Sequence, residues 1–171
     1  MKIFKNNYFL LVLLFLLLLI DGQLSFVMSS IFSYHWTISS HLFLLASLYF
    51  YYDKKNIFIL MSSMILGIVF DIYYLNMIGL VVFLLPILIL LAGKVSKIFF
   101  ESSFRTLVLF VTVVFTFEMV GYFISEFFRM TSITLIHFAT YNLAFSLCFN
   151  IFIFIISHKI LKKIFLKPSL T

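Results

Sequence analysis

The chain has 171 residues, 64% of them hydrophobic and only 11% charged, with a net charge of +6. A soluble domain carries roughly 25% charged residues, so this balance excludes one and describes a polytopic membrane protein. The lysines flank apolar runs, which reads as topology signal and lipid-headgroup contact and not as nucleic-acid binding; the lone cysteine, Cys148, excludes an internal disulfide or a thiolate cluster.

A membrane-crossing helix needs roughly 20 mainly apolar residues, and six candidates follow in chain order. The first, 8–27, comes after Lys2 and Lys5 like a signal peptide. It leads into Asp21-Gly22-Gln23 with no small-x-small cleavage pattern, so it is read as a retained helix. The second is 36–52. The third, 56–75, carries Asp71 near its far end, and a carboxylate inside a membrane helix costs a few kcal/mol unless it has a partner or a task. The fourth, 79–92, is opened by Gly79 and contains Pro86, which predicts an earlier start or a kink. The fifth is 103–125 and the sixth 132–157. The links are short and no internal repeat is present, so 1–171 reads as one membrane domain.

Basic residues then set orientation. With the N-terminus inside, Lys2, Lys5, Lys54, Lys55, Lys94, Lys97, Arg105, Lys159, Lys162, Lys163 and Lys167 are cytoplasmic, and of the 12 basic residues only Arg129 is outside. Six helices with both termini cytoplasmic satisfy this pattern, whereas five put the last lysine cluster on the wrong face.

In this orientation the intramembrane polar residues share the outer half. Asp71 lies near the outward end of the third helix and Asp21 in the outer part of the first. Glu118 is in the outward half of the fifth, His41 about one turn into the second, His137 similarly placed in the sixth, and Glu126 and Arg129 lie in the outer link. Three readings of this layer stay open. It can be helix packing and partner docking, with Asp71 or Glu118 paired to Arg129 or a histidine. It can also be a small-molecule pocket, or a metal site using His41 and His137, although no two histidines are spaced for one helix face. Small or polar residues four apart mark inward faces: Ser63, Gly67 and Asp71 on helix three, Asn142, Ser146 and Asn150 on helix six, and Glu118, Gly121 and Ser125 on helix five. The packing and docking candidates are Ser63, Gly67, Asp71, Gly79, Glu118, Gly121, His137 and Asn142. The tyrosines and Trp36 fall at the expected interfaces, as belt residues do.

Enzyme motifs are missing: there is no P-loop, no Gly-x-Ser-x-Gly, no His-Glu-x-x-His and no Asp-rich diphosphate motif. No catalytic residue, cofactor or metal ligand is assigned.

Several stretches together carry a family resemblance. A leucine-rich first helix runs into D-G-Q-L-S (Asp21 to Ser25). Leu66 to Leu80 reads L-G-I-V-F-D-I-Y-Y-L-N-M-I-G-L, a G-x-x-x-D followed by a helix-opening glycine. The last helix contains T-Y-N-L-A-F (Thr140 to Phe145) and ends in K-I-L-K-K (Lys159 to Lys163). Over essentially its whole length the chain resembles the rod shape-determining protein MreD family. It departs from the family at His35-Trp36, where a Pro-Asp pair is common, and at Ala139, where a proline is. The resemblance implies an all-α, six-transmembrane-helix bundle similar to the substrate-binding subunits of energy-coupling-factor vitamin transporters, set in the bacterial cell membrane. It implies a non-enzymatic scaffold or regulator of peptidoglycan elongation and cell shape. Its partners would be a bitopic MreC-like protein, a SEDS glycosyltransferase with its class B penicillin-binding protein, MreB where the organism has it, and membrane lipids. The alternative is a vitamin-transporter subunit. Against it, 8–20 contains neither Ala nor Gly for docking on a motor, and the outer links are short.

Overall fold

The computed structural model describes residues 7–32, 36–54, 57–75 and 79–165. The elements are α1 (Asn7–Ile31), α2 (Leu42–Lys54), α3 (Ile57–Phe70) continued by a π-helical turn (Asp71–Leu75), α4 (Val81–Phe99), α5 (Ser103–Phe127), α6 (Leu135–Phe138), a second π turn (Ala139–Leu143) and α7 (Ala144–Phe165). Because the π turns run on directly from their neighbours, these elements form six helical rods. Three stretches are long and apolar enough to cross a membrane on length and composition: Tyr8–Ile31, Ser103–Phe127 and Leu135–Lys163. The rods built on α2, α3 and α4 are shorter apolar helices.

Helix α2 is the hub. Every residue from 43 to 50 is buried, which is the pattern of a helix enclosed on all sides. It packs against α1, α3, α4 and α7, while α5 closes the ring by packing on α4 and α7. The other helices bury only one face, leaving apolar side chains such as Val12, Met61, Ile65, Phe104 and Ile155 on the outside of the bundle. In lipid those faces need no cover.

One end of the bundle carries, among the described residues, Arg105 at the start of α5 and Lys159, Lys162 and Lys163 near the end of α7. There Tyr49 of α2 hydrogen-bonds His158 Nδ1 of α7, and His158 Nε2 lies 2.9 Å from Ser103 Oγ at the start of α5. Phe100 packs edge-on to Tyr49 and stacks on Tyr52. This polar and aromatic knot ties three helices together at the basic end, while Arg129 lies beyond α5 at the opposite end.

Four expected spans differ from the observed helices, the sixth, 132–157, being seen over 135–165. The second helix starts at Leu42 and not at 36, because residues 37–41 are non-helical; His41 is therefore just ahead of the helix, not a turn inside it. Helix α1 continues to Ile31, so Asp21 lies near its middle and not in its outer part. Helix α4 is longer than 79–92, running to Phe99. Pro86 sits inside it, where the proline leaves the Val82 carbonyl without its usual N–H partner.

Candidate functional site

At about 1.5 Å per residue, the 13 residues of α2 span roughly 20 Å, well short of a hydrocarbon core of about 30 Å. The chain makes up the difference with non-helical backbone, residues 37–41, threaded between α1 and α7. Such backbone is tolerated at membrane depth only when its polar groups are satisfied, and here side chains satisfy them one after another. Ile38 N donates to Ser29 Oγ at 3.1 Å, Ser39 N to Ser146 Oγ at 2.9 Å, and Ser40 N to Ser25 Oγ at 2.8 Å. His41 N donates to Asn150 Oδ1 at 2.8 Å, Leu42 N to Asp21 Oδ1 at 2.8 Å, and Phe43 N to Asp21 Oδ2 at 2.6 Å. The Ser40 hydroxyl also donates to Asp21, and Asn150 Nδ2 returns bonds to Ser39 O at 2.7 Å and Ser146 O at 2.8 Å. An unbroken run of six N–H groups is thus held by two helices. Asp21, Ser25 and Ser29 stand four apart on α1, as do Ser146 and Asn150 on α7. The acceptors therefore form straight ladders, one per helix.

Asp71 caps the other inner helix. It is fully buried and accepts Gly79 N at 2.9 Å and Val82 N at 3.2 Å on Oδ2, and Val81 N at 2.9 Å on Oδ1. It supplies from α3 the N-terminal cap that α4 lacks, with a negative charge at the positive end of that helix's dipole. Gly79 has φ +124°, a backbone angle that favours glycine. Gly67, one turn before Asp71, sets the approach: a Cβ there would stand 2.7 Å from Val82 Cα. Ser63, one turn earlier again, is buried and bonds its own helix at Leu60 O. The Ser63, Gly67 and Asp71 face thus packs inward on α4.

The remaining candidates divide into two places. Glu118 Oε1 lies 2.8 Å from His41 Nε2, and Gly121 and Asn142 line the same cavity as this pair. His137 is elsewhere and exposed. It bounds an open hollow with Phe32, Trp36 and Tyr141, and Trp36 stacks on Phe145 at 4.1 Å. Asp71 hydrogen-bonds backbone rather than Arg129 or a histidine, and Arg129 ends α5, with φ 55° and its N–H on Glu126 O. Among the described residues no three His, Cys, Asp or Glu side chains converge as metal ligands would.

Asp21, Ser25, Ser29 and Asn150 organise the centre, though none is among the packing and docking candidates expected from the sequence. The i, i+4, i+8 spacing from Asp21 to Ser29 is the same kind of stripe as those on helices three, five and six, the last of which includes Asn150.

The family model for the rod shape-determining protein MreD matches residues 2–164. The chain belongs to the MreD family. Neither the curated proteins nor the solved structures contain a match. Membership brings a role in determining rod shape and an association with the MreBCD machinery. The long apolar helices agree with a membrane protein of that family.

Proposed function

We propose that this protein is a non-enzymatic membrane scaffold or regulator of peptidoglycan elongation. It would act in the bacterial cell membrane, with both termini and the basic end cytoplasmic. Its partners would be a bitopic MreC-like protein and, through it, a SEDS glycosyltransferase with its class B penicillin-binding protein, together with MreB where the organism has it. The match of the MreD family model to residues 2–164 carries this reading. The chemistry of the interior supports it: Asp21, Asp71 and Asn150 all hold backbone, so they stabilise a shape and are not free to act on a substrate. The family match gives no support to a vitamin-transporter subunit.

The docking element we favour is α3. Fastened to α4 through Gly67 and Asp71, it turns Met61, Met64, Ile65, Ile68 and Ile72 outward as a fixed apolar stripe suited to a partner's single membrane helix. The test is affinity purification of the tagged chain with the MreC-like protein encoded in the same genome, followed by mass spectrometry, together with cell-shape imaging after depletion. Recovery of the MreC-like protein and rounded cells are expected. Met64→Trp and Ile68→Trp should reduce recovery without loss of membrane insertion. Failure to recover any wall-synthesis protein, with cells keeping their shape, would refute the proposal.

A further inference from the structure

Because α2 starts at the level of Asp21, the last ten residues of α1 extend about 15 Å beyond it. Beside the non-helical residues 37–41 that lead into α2, the described elements surround an open space. It is a cavity of about 600 Å³, inside the range of small-molecule sites. Its walls come from α1 (Gly22, Phe26), the α3–α4 junction (Gly67, Leu80) and α5 (Phe117, Gly121), and Thr131 and Ile133 lie at the end away from the lysines.

The lining is mainly apolar, with two carboxylates, Asp21 and Glu118. Glu118 faces the cavity, and its side chain is 13% exposed. A carboxylate has about four lone-pair directions, and among the described residues Glu118 has one hydrogen-bond partner, His41. Asp21 lines the same cavity, but both its oxygens already accept backbone N–H groups. Glu118 is thus the acceptor with capacity to spare, at the inner part of an apolar chamber. The adjacent wall is smooth, since a Cβ on Gly121 would meet only Leu80 Cδ2, at 3.9 Å.

We infer that this cavity binds a compact, largely apolar molecule whose hydroxyl or amine group enters first and donates to Glu118. The apolar body lies against Phe26, Phe117 and Leu80, and desolvation is offset at one point by a charge-assisted hydrogen bond. His41 holds the carboxylate in place, and its own backbone N–H is fixed on Asn150, so the acceptor is pre-set before the ligand arrives. The inference is independent of partner docking, which we place on the outside of α3.

The full-length protein in nanodiscs tests this with three photoprobes of one shape: trifluoromethyl-diazirinyl benzylamine, benzyl alcohol and benzoic acid. The amine and the alcohol are expected to label residues 117–125 and 22–29, and the acid is not, because it would meet a carboxylate. Glu118→Gln should cut amine labelling by about tenfold, the effect of one charge-assisted bond. Gly121→Leu, which puts a branched side chain into the chamber while keeping the Glu118 carboxylate, should abolish labelling by all probes at those peptides. Competition by a lipid extract of the native membrane would make the natural ligand a membrane component, and competition by an aqueous extract would make it water-borne. Equal labelling by the acid, or labelling that survives Gly121→Leu, would overturn the proposal and leave a crevice filled with ordinary lipid. Gly121→Leu keeps the test valid if Glu118→Gln fails to fold.

Discussion

Asp21 and Asp71 do the same job in two places: each carboxylate, fixed on one helix, receives the leading backbone N–H groups of the next. Asp21 on α1 takes Leu42 and Phe43 at the head of α2, and Asp71 on α3 takes Gly79, Val81 and Val82 at the head of α4. The helices served are α2 and α4, whose leading N–H groups are held by buried side chains of the preceding helix. In a soluble protein a serine next to the helix and some water would do. Here the cap must be strong and must come from a neighbour, so capping and helix packing become one interaction.

This arrangement makes both aspartates stability determinants. Asp71→Ala should cost about 2–4 kcal/mol, because it orphans buried N–H groups at the head of α4. Asn is an imperfect substitute at both positions. Each carboxylate receives donors on both oxygens, whereas an amide offers one acceptor and turns its own NH2 toward the other donors. Asp71→Asn should therefore recover only part of the loss. Thermal unfolding of the detergent-solubilised variants measures this; an Asn variant as stable as the parent would mean one oxygen carries the whole cap.

Much of the architecture was readable from periodicity because in lipid an apolar run of sufficient length has few alternatives to a helix. The expected fifth helix, 103–125, differs from α5 by two residues. The entry to α2 was not readable in the same way. Thr37, Ile38, Ser39 and Ser40 fall within the expected second span, yet they are non-helical, and the N–H groups of Ile38, Ser39 and Ser40 go to Ser29, Ser146 and Ser25 on other helices. That outcome depends on partners 9, 15 and 107 positions away, the farthest of which no local window contains. Glu118 and His41 were both visible as intramembrane ionisable residues, but their pairing spans 77 positions and needed the fold. The knot of Tyr49, His158 and Ser103 gave no sequence signal, since a histidine next to lysines reads as part of a solvated end.

Asn150 combines an acceptor and a donor, and this yields a second prediction. Its Oδ1 holds His41 N while its Nδ2 bonds Ser39 O and Ser146 O. Asn150→Asp has nearly the same shape but cannot donate, and it brings a charge against two carbonyl oxygens. It should destabilise at least as much as Asn150→Ala, by about 2–3 kcal/mol. If unfolding of Asn150→Asp matches the parent, the donor half of the residue is dispensable.

The glycines separate packing from open space. Gly67→Ala places a methyl 2.7 Å from Val82 Cα, so α3 and α4 must move apart and drag the Asp71 cap with them. A loss of about 1–3 kcal/mol is expected for such overpacking. Gly121→Ala has 3.9 Å to its nearest neighbour and gains helix propensity of up to about 1 kcal/mol. Its melting temperature should equal or exceed the parent's. Equal losses for the two alanines would show that the approach of α3 to α4 has slack.

Orientation and cavity access can be read with one reagent. Cys148 is the chain's single cysteine and lies on an exposed lateral face of α7, which in a membrane faces lipid. There the thiol is out of reach of a water-soluble reagent, so a membrane-impermeant maleimide should leave the parent protein largely unlabelled in intact cells. Ser125, on the last turns of α5, lines the cavity at the end away from the lysines. With Cys148→Ser as background, Ser125→Cys should label rapidly from outside, while a cysteine at Glu101, in the link beside Arg105, should label only after permeabilisation. The eleven-to-one distribution of basic residues motivates that orientation. Labelling of position 101 in intact cells would invert the topology, and an inert cysteine at position 125 would mean the chamber is closed to the outer solvent.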